Sequence, residues 1–261
     1  MPELPDVEVF RRYFDITSLY QEIVAVEVRE SRLCKNIEEK RLNNLLRDRE
    51  FTGSERHGKH LFTHVSSNGW VMLHFGMTGF LKYYKHSEEE PPHARVIFEF
   101  TNGYHLAYDN MRKLGWIDYT DSVDDFVSEQ NLGPDALKLS QEEFVALFPE
   151  KRSMIKGALM HQQFIAGLGN IYTDEVLFQS GIHPRVPVND LTDSDLENMF
   201  DTMQDIMDTA IHCKVEVSKF PPDYLIHVRD EGSECPRCGN PIQKIKVASR
   251  STYYCEHCQP A

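Results

Sequence analysis

The stretch Cys235-Pro236-Arg237-Cys238, sixteen residues, then Cys255-Glu256-His257-Cys258 constrains this chain of 261 residues more than any other feature. Two Cys-x-x-Cys knuckles at that spacing supply four thiolates to one tetrahedral Zn²⁺, and a site closed by four cysteines leaves no open position, so the metal is structural. Between the knuckles, residues 242–247 and 251–254 read as two strands of a hairpin around Ala248-Ser249-Arg250, a turn that presents Arg250 at its tip. A basic residue on a metal-stiffened hairpin suits a phosphate clamp, although zinc ribbons also serve as protein-interaction modules, and the ribbon alone does not choose. The other two cysteines, Cys34 and Cys213, are isolated. With no apolar run of membrane-spanning length and no basic n-region before an apolar one, a cytoplasmic protein is expected.

A net charge of −13 argues against indiscriminate nucleic-acid binding, which needs a basic surface. The charge is unevenly spread. Acids crowd residues 118–150 and 190–208, whereas Arg237, Lys244, Lys246 and Arg250 give the C-terminal segment a local positive face.

The chain is long enough for two domains, and its texture changes midway. Residues 51–119 carry short β-rich runs such as Leu61-Phe62-Thr63-His64-Val65 and Val71-Met72-Leu73-His74-Phe75, punctuated by Asn68-Gly69 and Asn102-Gly103 as turns. This predicts an antiparallel β-sandwich or barrel. An early helix falls within residues 6–17, where Val7, Phe10, Tyr13 and Phe14 recur at helical spacing. After Gly133-Pro134 the reading is helical: Ser140-Gln141-Glu142-Glu143 has the form of a capping box, and helices are expected at 155–163, 171–180 and 191–211. Gly167-Leu168-Gly169-Asn170 makes a tight turn between two of them, with amides suited to holding a phosphate. His57, His60, His64 and His74 are expected to straddle both faces of alternating strands as surface or groove residues, not to form a metal site.

At the other end, removal of Met1 from Met1-Pro2-Glu3-Leu4-Pro5 exposes a prolyl amine beside a carboxylate. An α-amine titrates near ~8 and a lysine near ~10.4, so roughly a hundredfold more of the former is nucleophilic at neutral pH. A secondary amine attacking an aldehyde carbon gives an iminium that stays cationic without a proton, an electron sink for elimination at a sugar C1′. The same prolines equally suit a stiff, extended first strand.

Taken together, Pro2-Glu3-Leu4-Pro5, Gly58-Lys59, His74-Phe75-Gly76-Met77-Thr78-Gly79, Gly169-Asn170-Ile171-Tyr172 and the zinc hairpin resemble the formamidopyrimidine-DNA glycosylase and endonuclease VIII family, closer to the formamidopyrimidine branch. The resemblance runs from end to end. It implies an N-terminal antiparallel β-sandwich (1–130), a helix-two-turn-helix domain (131–226) and a zinc-finger β-hairpin (227–261). It also implies a monomer that flips a damaged base out of double-stranded DNA into a cleft between the β and helical domains. The base is then excised through a Schiff base on Pro2, and the strand is broken by β and δ elimination. Residue by residue, the resemblance makes Pro2 the nucleophile and Glu3 the acid/base. Lys59, on a strand, contacts lesion phosphates; Lys156 lies near the damaged base or its phosphate; Asn170, followed by Tyr172, binds the flanking phosphate, and Arg250 grips the phosphates around the flipped nucleotide. Met77, Arg112 and Leu114 fill the hole left by the base, with Arg112 bonding the opposite base.

Three departures stand out. Leu114 replaces the usual phenylalanine, Asp6 the usual glutamate, and residues 213–224 lack the longer glycine- and serine-rich loop that caps 8-oxoguanine in typical members. They keep an endonuclease VIII-like preference for oxidised pyrimidines open as an alternative. From other classes, a catalytically silent damaged-DNA binder and a zinc-ribbon interaction module remain rivals.

Overall fold

A computed structural model describes residues 2–148 and 153–260, so Met1 lies outside the described residues. The chain separates into two compact units, one of residues 6–131 with Pro2, the other of residues 3–5 and 132 onward.

The first unit opens with helix α1 (Leu4–Ser18), strand β1 (Ile23–Val28) and helix α2 (Glu39–Leu46). Seven strands follow: β2 (Phe51–His57), β3 (His60–Val65), β4 (Trp70–His74), β5 (Gly79–Tyr84), β6 (Ala94–Phe100), β7 (His105–Asn110) and β8 (Trp116–Thr120); helix α3 (Val123–Glu129) closes the unit. The strands form two four-stranded antiparallel sheets, ordered β1-β6-β7-β5 and β2-β3-β4-β8. One core lies between them, contributed by inward residues of both: Val26, Val96, Phe98 and Leu106 from the first, Phe51, Leu61, Val71, Leu73 and Ile117 from the second. Phe51 and Phe98 meet edge-on at 5.7 Å, so the two sheets are joined by aromatic contact as in a sandwich. Both Asn68 and Gly69 take left-handed φ at the turn between β3 and β4, as asparagine-glycine pairs do.

The N-terminal prolines do not make an extended strand. Helix α1 begins at Leu4, two residues ahead of the expected start, because Pro5 falls in the first turn, where a helix needs no amide donor. Lys59 sits in the two-residue turn between β2 and β3, not on a strand.

The second unit holds α4 (Gln141–Ala146), α5 (Ile155–Leu159), α6 (Asn170–Gln179) and α7 (Asp193–His212), then the hairpin β9 (Gln243–Val247) and β10 (Arg250–Tyr254). The Ser140 capping box is present: its hydroxyl accepts from the Glu143 amide while the Glu143 carboxylate accepts from the Ser140 amide. Helix α5 is half as long as the periodicity suggests. A core of Leu159, Leu168, Tyr172, Val176, Met199, Met203 and Met207 unites α5, α6 and α7. Among the described residues no helix is long and apolar enough to cross a membrane.

Candidate active site and nucleic-acid interface

The residues singled out from the sequence fall into both units. In the second, Glu3 is almost wholly buried and its carboxylate receives the amides of Gly169 (2.9 Å), Ile171 (2.8 Å) and Tyr172 (3.2 Å). Those are the orphan donors at the head of α6, whose own N-cap, Gly169, has no side chain to offer. The cap therefore comes from the far end of the sequence, and the positive end of α6 faces an anion. A Cβ on Gly169 would stand 2.4 Å from the Glu3 carboxyl carbon, which is why the residue beside it is glycine. Two of the amides in the Gly167–Asn170 turn are thus already taken, that of Gly169 by Glu3 and that of Gly167 by the Gln162 side chain (3.1 Å). Tyr172 has its ring in the helical core and its amide on Glu3.

Asn170 follows directly, its Nδ2 donating to the Ser251 carbonyl at 3.0 Å. Arg250 is exposed as the first residue of β10, paired with Val247, one position past the turn formed by Ala248 and Ser249. Lys156, in α5, is enclosed. It is 0 % exposed, with its ammonium bonded to Asp174 (2.5 Å), Thr252 (2.6 Å) and the Ser251 carbonyl (3.4 Å), so it has no face to offer a ligand in this conformation. Arg237 stays exposed while donating to the Phe178 and Gln179 carbonyls at the C-terminal end of α6. Along α7, Asp193, Glu197, Asp201, Asp205 and Asp208 are exposed at helical spacing and account for much of the acidity of this unit. Between α7 and Tyr224 the chain turns through Lys214 and Val215, both left-handed, into a short 3-10 turn at Val217–Lys219.

The four cysteines suit a metal. Their sulfurs all lie within 4.8 Å of one another, with Cys235 and Cys258 at 3.8 Å and Cys238 and Cys255 at 3.5 Å. A tetrahedron of thiolates with Zn–S near ~2.3 Å has edges of about 3.8 Å. Asn240 Nδ2 donates to Cys238 Sγ at 3.3 Å, and the buried Gln259 ties the second knuckle to the body through the Cys255 amide and the Ile182 carbonyl.

In the first unit, Met77 and Leu114 are 40 % and 51 % exposed on adjacent loops, with Arg112 between Met111 and Lys113. Core filling by Met77 is thereby excluded. The loops are fastened together: Arg112 N donates to Thr78 Oγ1 (3.1 Å), and the buried Asn110 accepts from Leu114 N and donates to the Phe75 carbonyl (3.2 Å). Gly76 has φ +60°, and a Cβ there would come within 2.4 Å of the Leu114 carbonyl carbon, so glycine is required on both counts. Sequence reasoning missed Asn110, the last residue of β7, as the pin of this pair of loops. It also missed Met111, exposed to 52 % on the same loop.

The turn bearing Lys59 is braced too. Buried Arg56 donates to the Gly58 carbonyl (3.0 Å) and pairs with Glu8 of α1 (3.4 Å). Burial would raise the Glu8 carboxyl, but hydrogen bonds from Arg11 and Arg12 and the charges of Arg11 and Arg56 outweigh it and hold the group down at about 2.

All four histidines lie on one face of their sheet, a correction to the expected straddling. His60 pairs directly with both His57 and His74, and His64 is four residues along the same strand, so the hairpin reversals restore the same face. His60 and His74 are 5.1 Å apart within a cluster that includes Trp116 and Phe126. Burial, with His74 nearby, lowers His60 to about 3; burial, with the charges of Lys59 and Lys35, lowers His74 to about 4. An unfolded histidine titrates near ~6.5, so below that pH the unfolded chain binds protons the folded unit refuses. Stability is full above pH ~6.5 and falls as pH drops toward 4, by on the order of 3 kcal/mol. Urea melts at pH 7 and pH 4.5 check this, and His60→Phe is expected to flatten the decline; an equal decline in that variant would place its origin elsewhere.

Comparison with known proteins bears on this geometry. Family models for the formamidopyrimidine-DNA glycosylase N-terminal domain, its H2TH domain, and a zinc finger found in FPG and IleRS match residues 1–117, 132–221 and 232–261 respectively. The formamidopyrimidine-DNA glycosylase of Latilactobacillus sakei is 34% identical over 99% of this chain and 98% of its own length. The chain belongs to the formamidopyrimidine-DNA glycosylase family. A second glycosylase of this family, from Pelotomaculum thermopropionicum, is 33% identical over 99% of both chains. Among solved structures, the Lactococcus lactis glycosylase bound non-covalently to DNA containing an AP site superposes with a TM-score of 0.88 at 28% identity, covering 100% of each chain. The same glycosylase with DNA containing Fapy-dG superposes with a TM-score of 0.89 at 28% identity, over 99% of this chain and 100% of its own. The β-sandwich, the helical H2TH region and the zinc finger with its two-stranded hairpin are therefore those of the family, and the finger carries one structural zinc.

Proposed function

We propose that this chain is a bifunctional DNA glycosylase and AP lyase of base-excision repair, acting on ring-opened and oxidised purines in duplex DNA, working as a monomer in the cytoplasm where it has access to the chromosome. The observation that carries the reading is Glu3: a carboxylate held by three amides at the head of α6, adjoining a prolyl nitrogen. The segment that supplies the nucleophile is thus anchored by its neighbour.

In this reading, the Pro2 nitrogen attacks C1′ and the glycosidic electron pair leaves with the base, which takes a proton from solvent; the Glu3 carboxylate takes the proton released by the prolyl nitrogen and passes it to O4′ as the nitrogen lone pair opens the sugar ring to the iminium. The iminium acidifies C2′; loss of that proton breaks the C3′–O bond, and a second elimination breaks C5′–O. Lys59, Asn170 and Arg250 hold phosphates, Arg250 with a fork that spans two oxygens. Met77, Arg112 and Leu114 enter the base stack, their loops stiffened by Asn110 and Gly76. The division into 1–130, 131–226 and 227–261 assigns nucleophile, wedge and the Lys59 phosphate contact to the first part, and the phosphate contacts of Asn170 and Arg250 to the other two.

The test is incision of duplexes carrying formamidopyrimidine, 8-oxoguanine or an oxidised pyrimidine opposite each base. Excision of the purine lesions, with phosphate at both ends of the gap, is the expected result. Pyrimidine lesions cut faster would move the assignment to the endonuclease VIII-like branch, and binding without incision would mark a silent binder.

A further inference from the structure

Lys156 poses a question that the proposed chemistry does not answer. A wholly buried ammonium is costly to desolvate, and for stability alone an apolar side chain of that size would serve as well. Charge balance does not demand it either. Asp174 is shared by two cations, receiving Lys156 on Oδ1 (2.5 Å) and Arg229 on Oδ2 (2.6 Å), with Glu3 adding a longer-range attraction to Lys156. Without Lys156, Asp174 would still be paired.

What Lys156 alone supplies is a set of contacts to the hairpin. Its ammonium donates to the Thr252 hydroxyl (2.6 Å), which in turn donates to the Arg250 carbonyl (3.2 Å), and it shares the Ser251 carbonyl with Asn170 Nδ2 (3.4 and 3.0 Å). Asp174 takes the Tyr253 amide at 3.2 Å, and Arg229 lies over the Tyr253 ring at 5.1 Å. Successive residues 251–253 of β10 are each tied to this charge cluster, and α6 carries both Asp174 and Asn170.

We infer that Lys156 is a positioning residue that fixes Arg250 of the zinc hairpin relative to Asn170 at the head of α6, giving the two phosphate-gripping side chains one set separation. The inference rests on the proposed role of Arg250. It assigns Lys156 an effect on DNA grip without any contact to DNA. It also makes the cluster, not zinc alone, the element that sets where the hairpin points.

The test is a double-mutant cycle read by fluorescence anisotropy on a duplex carrying a tetrahydrofuran abasic analogue, which cannot react, at several salt concentrations. Zinc content is measured for every variant. Arg250→Ala is expected to weaken binding about tenfold and to lower the salt slope by about one. Lys156→Met is expected to do the same, and the double variant to be no more than about twofold weaker than either single one. Thr252→Val, which keeps the ion pair and removes only the bridge to Arg250, is expected to lose about threefold and to show the same lack of additivity. Should Lys156→Met lose zinc, the cycle is read with Thr252→Val. Losses that multiply to about a hundredfold in the double variant, or wild-type binding by Lys156→Met, overturn the inference while leaving Arg250 as a clamp. If Arg250→Ala alone is silent, the clamp assignment falls, and the inference with it.

Discussion

Protein that retains Met1 is expected to lose excision of damaged bases and cleavage of abasic DNA, by on the order of a thousandfold or more in single-turnover rate. With Met1 in place the Pro2 nitrogen is an amide, its lone pair delocalised into the carbonyl, and it cannot add to C1′. No side chain changes, so duplex binding is expected to stay within about twofold of the processed form. Pro2→Gly, processed to a free α-amine, is the graded counterpart. Its imine is neutral unless protonated, so its lyase rate is expected to fall as pH rises, whereas the prolyl iminium keeps its charge. Rapid-quench assays of both forms across pH 6–9 read the difference. A Met1-retaining protein that cleaves abasic DNA at the normal rate would remove Pro2 from the chemistry.

Zinc removal is expected to have the other large effect. Structural zinc contributes ~10–16 kcal/mol of apparent binding energy in small fingers, so a chelated hairpin loses the fold on which its ties to the Lys156–Asp174 cluster depend. Its own core is small, with Phe178, Leu225, Cys235, Ile242 and Cys255 as the buried members, and two of those are the cysteines. When it opens, Arg250 loses its scaffold, Asn170 loses the Ser251 carbonyl and Lys156 loses Thr252, leaving a buried ammonium short of acceptors. Chelation, or Cys258→Ser, is expected to weaken lesion-duplex binding at least about a hundredfold, the chelated protein alone recovering on adding Zn²⁺ but not Mg²⁺. The β-sandwich lacks these cysteines and should keep its near-UV circular dichroism. Full binding by the apoprotein would show that the hairpin plays no part in the interface.

How far the sequence reaches depends on how local the cause is. The knuckles, the Ser140 capping box and the Asn68-Gly69 turn were legible because each is decided by a few neighbouring residues. The β-sandwich was legible from alternation and turn residues, since a half-buried strand writes its pattern on itself. What escaped was long-range. The Gly169 amide looked free for phosphate because the residue that takes it, Glu3, lies 166 positions away. The burial of Lys156 was not legible either, because Asp174 and Thr252, its partners, come from other elements. The histidines were misplaced by counting parity along the chain and ignoring that antiparallel pairing puts His60 opposite both His57 and His74. Likewise nothing next to Lys59 announces that Arg56 and Glu8 brace its turn.

The proposed chemistry turns on the α-nitrogen of Pro2 as nucleophile. The measurement that tests it most directly is borohydride reduction of the processed protein on a duplex carrying an abasic site opposite cytosine, followed by proteolysis and mass spectrometry of the cross-linked peptide. The predicted result is a single adduct on the peptide that begins at Pro2, with the added mass on its nitrogen. A cross-link on a lysine peptide, such as the one containing Lys59, or no covalent adduct under conditions where the DNA is cleaved, would contradict it.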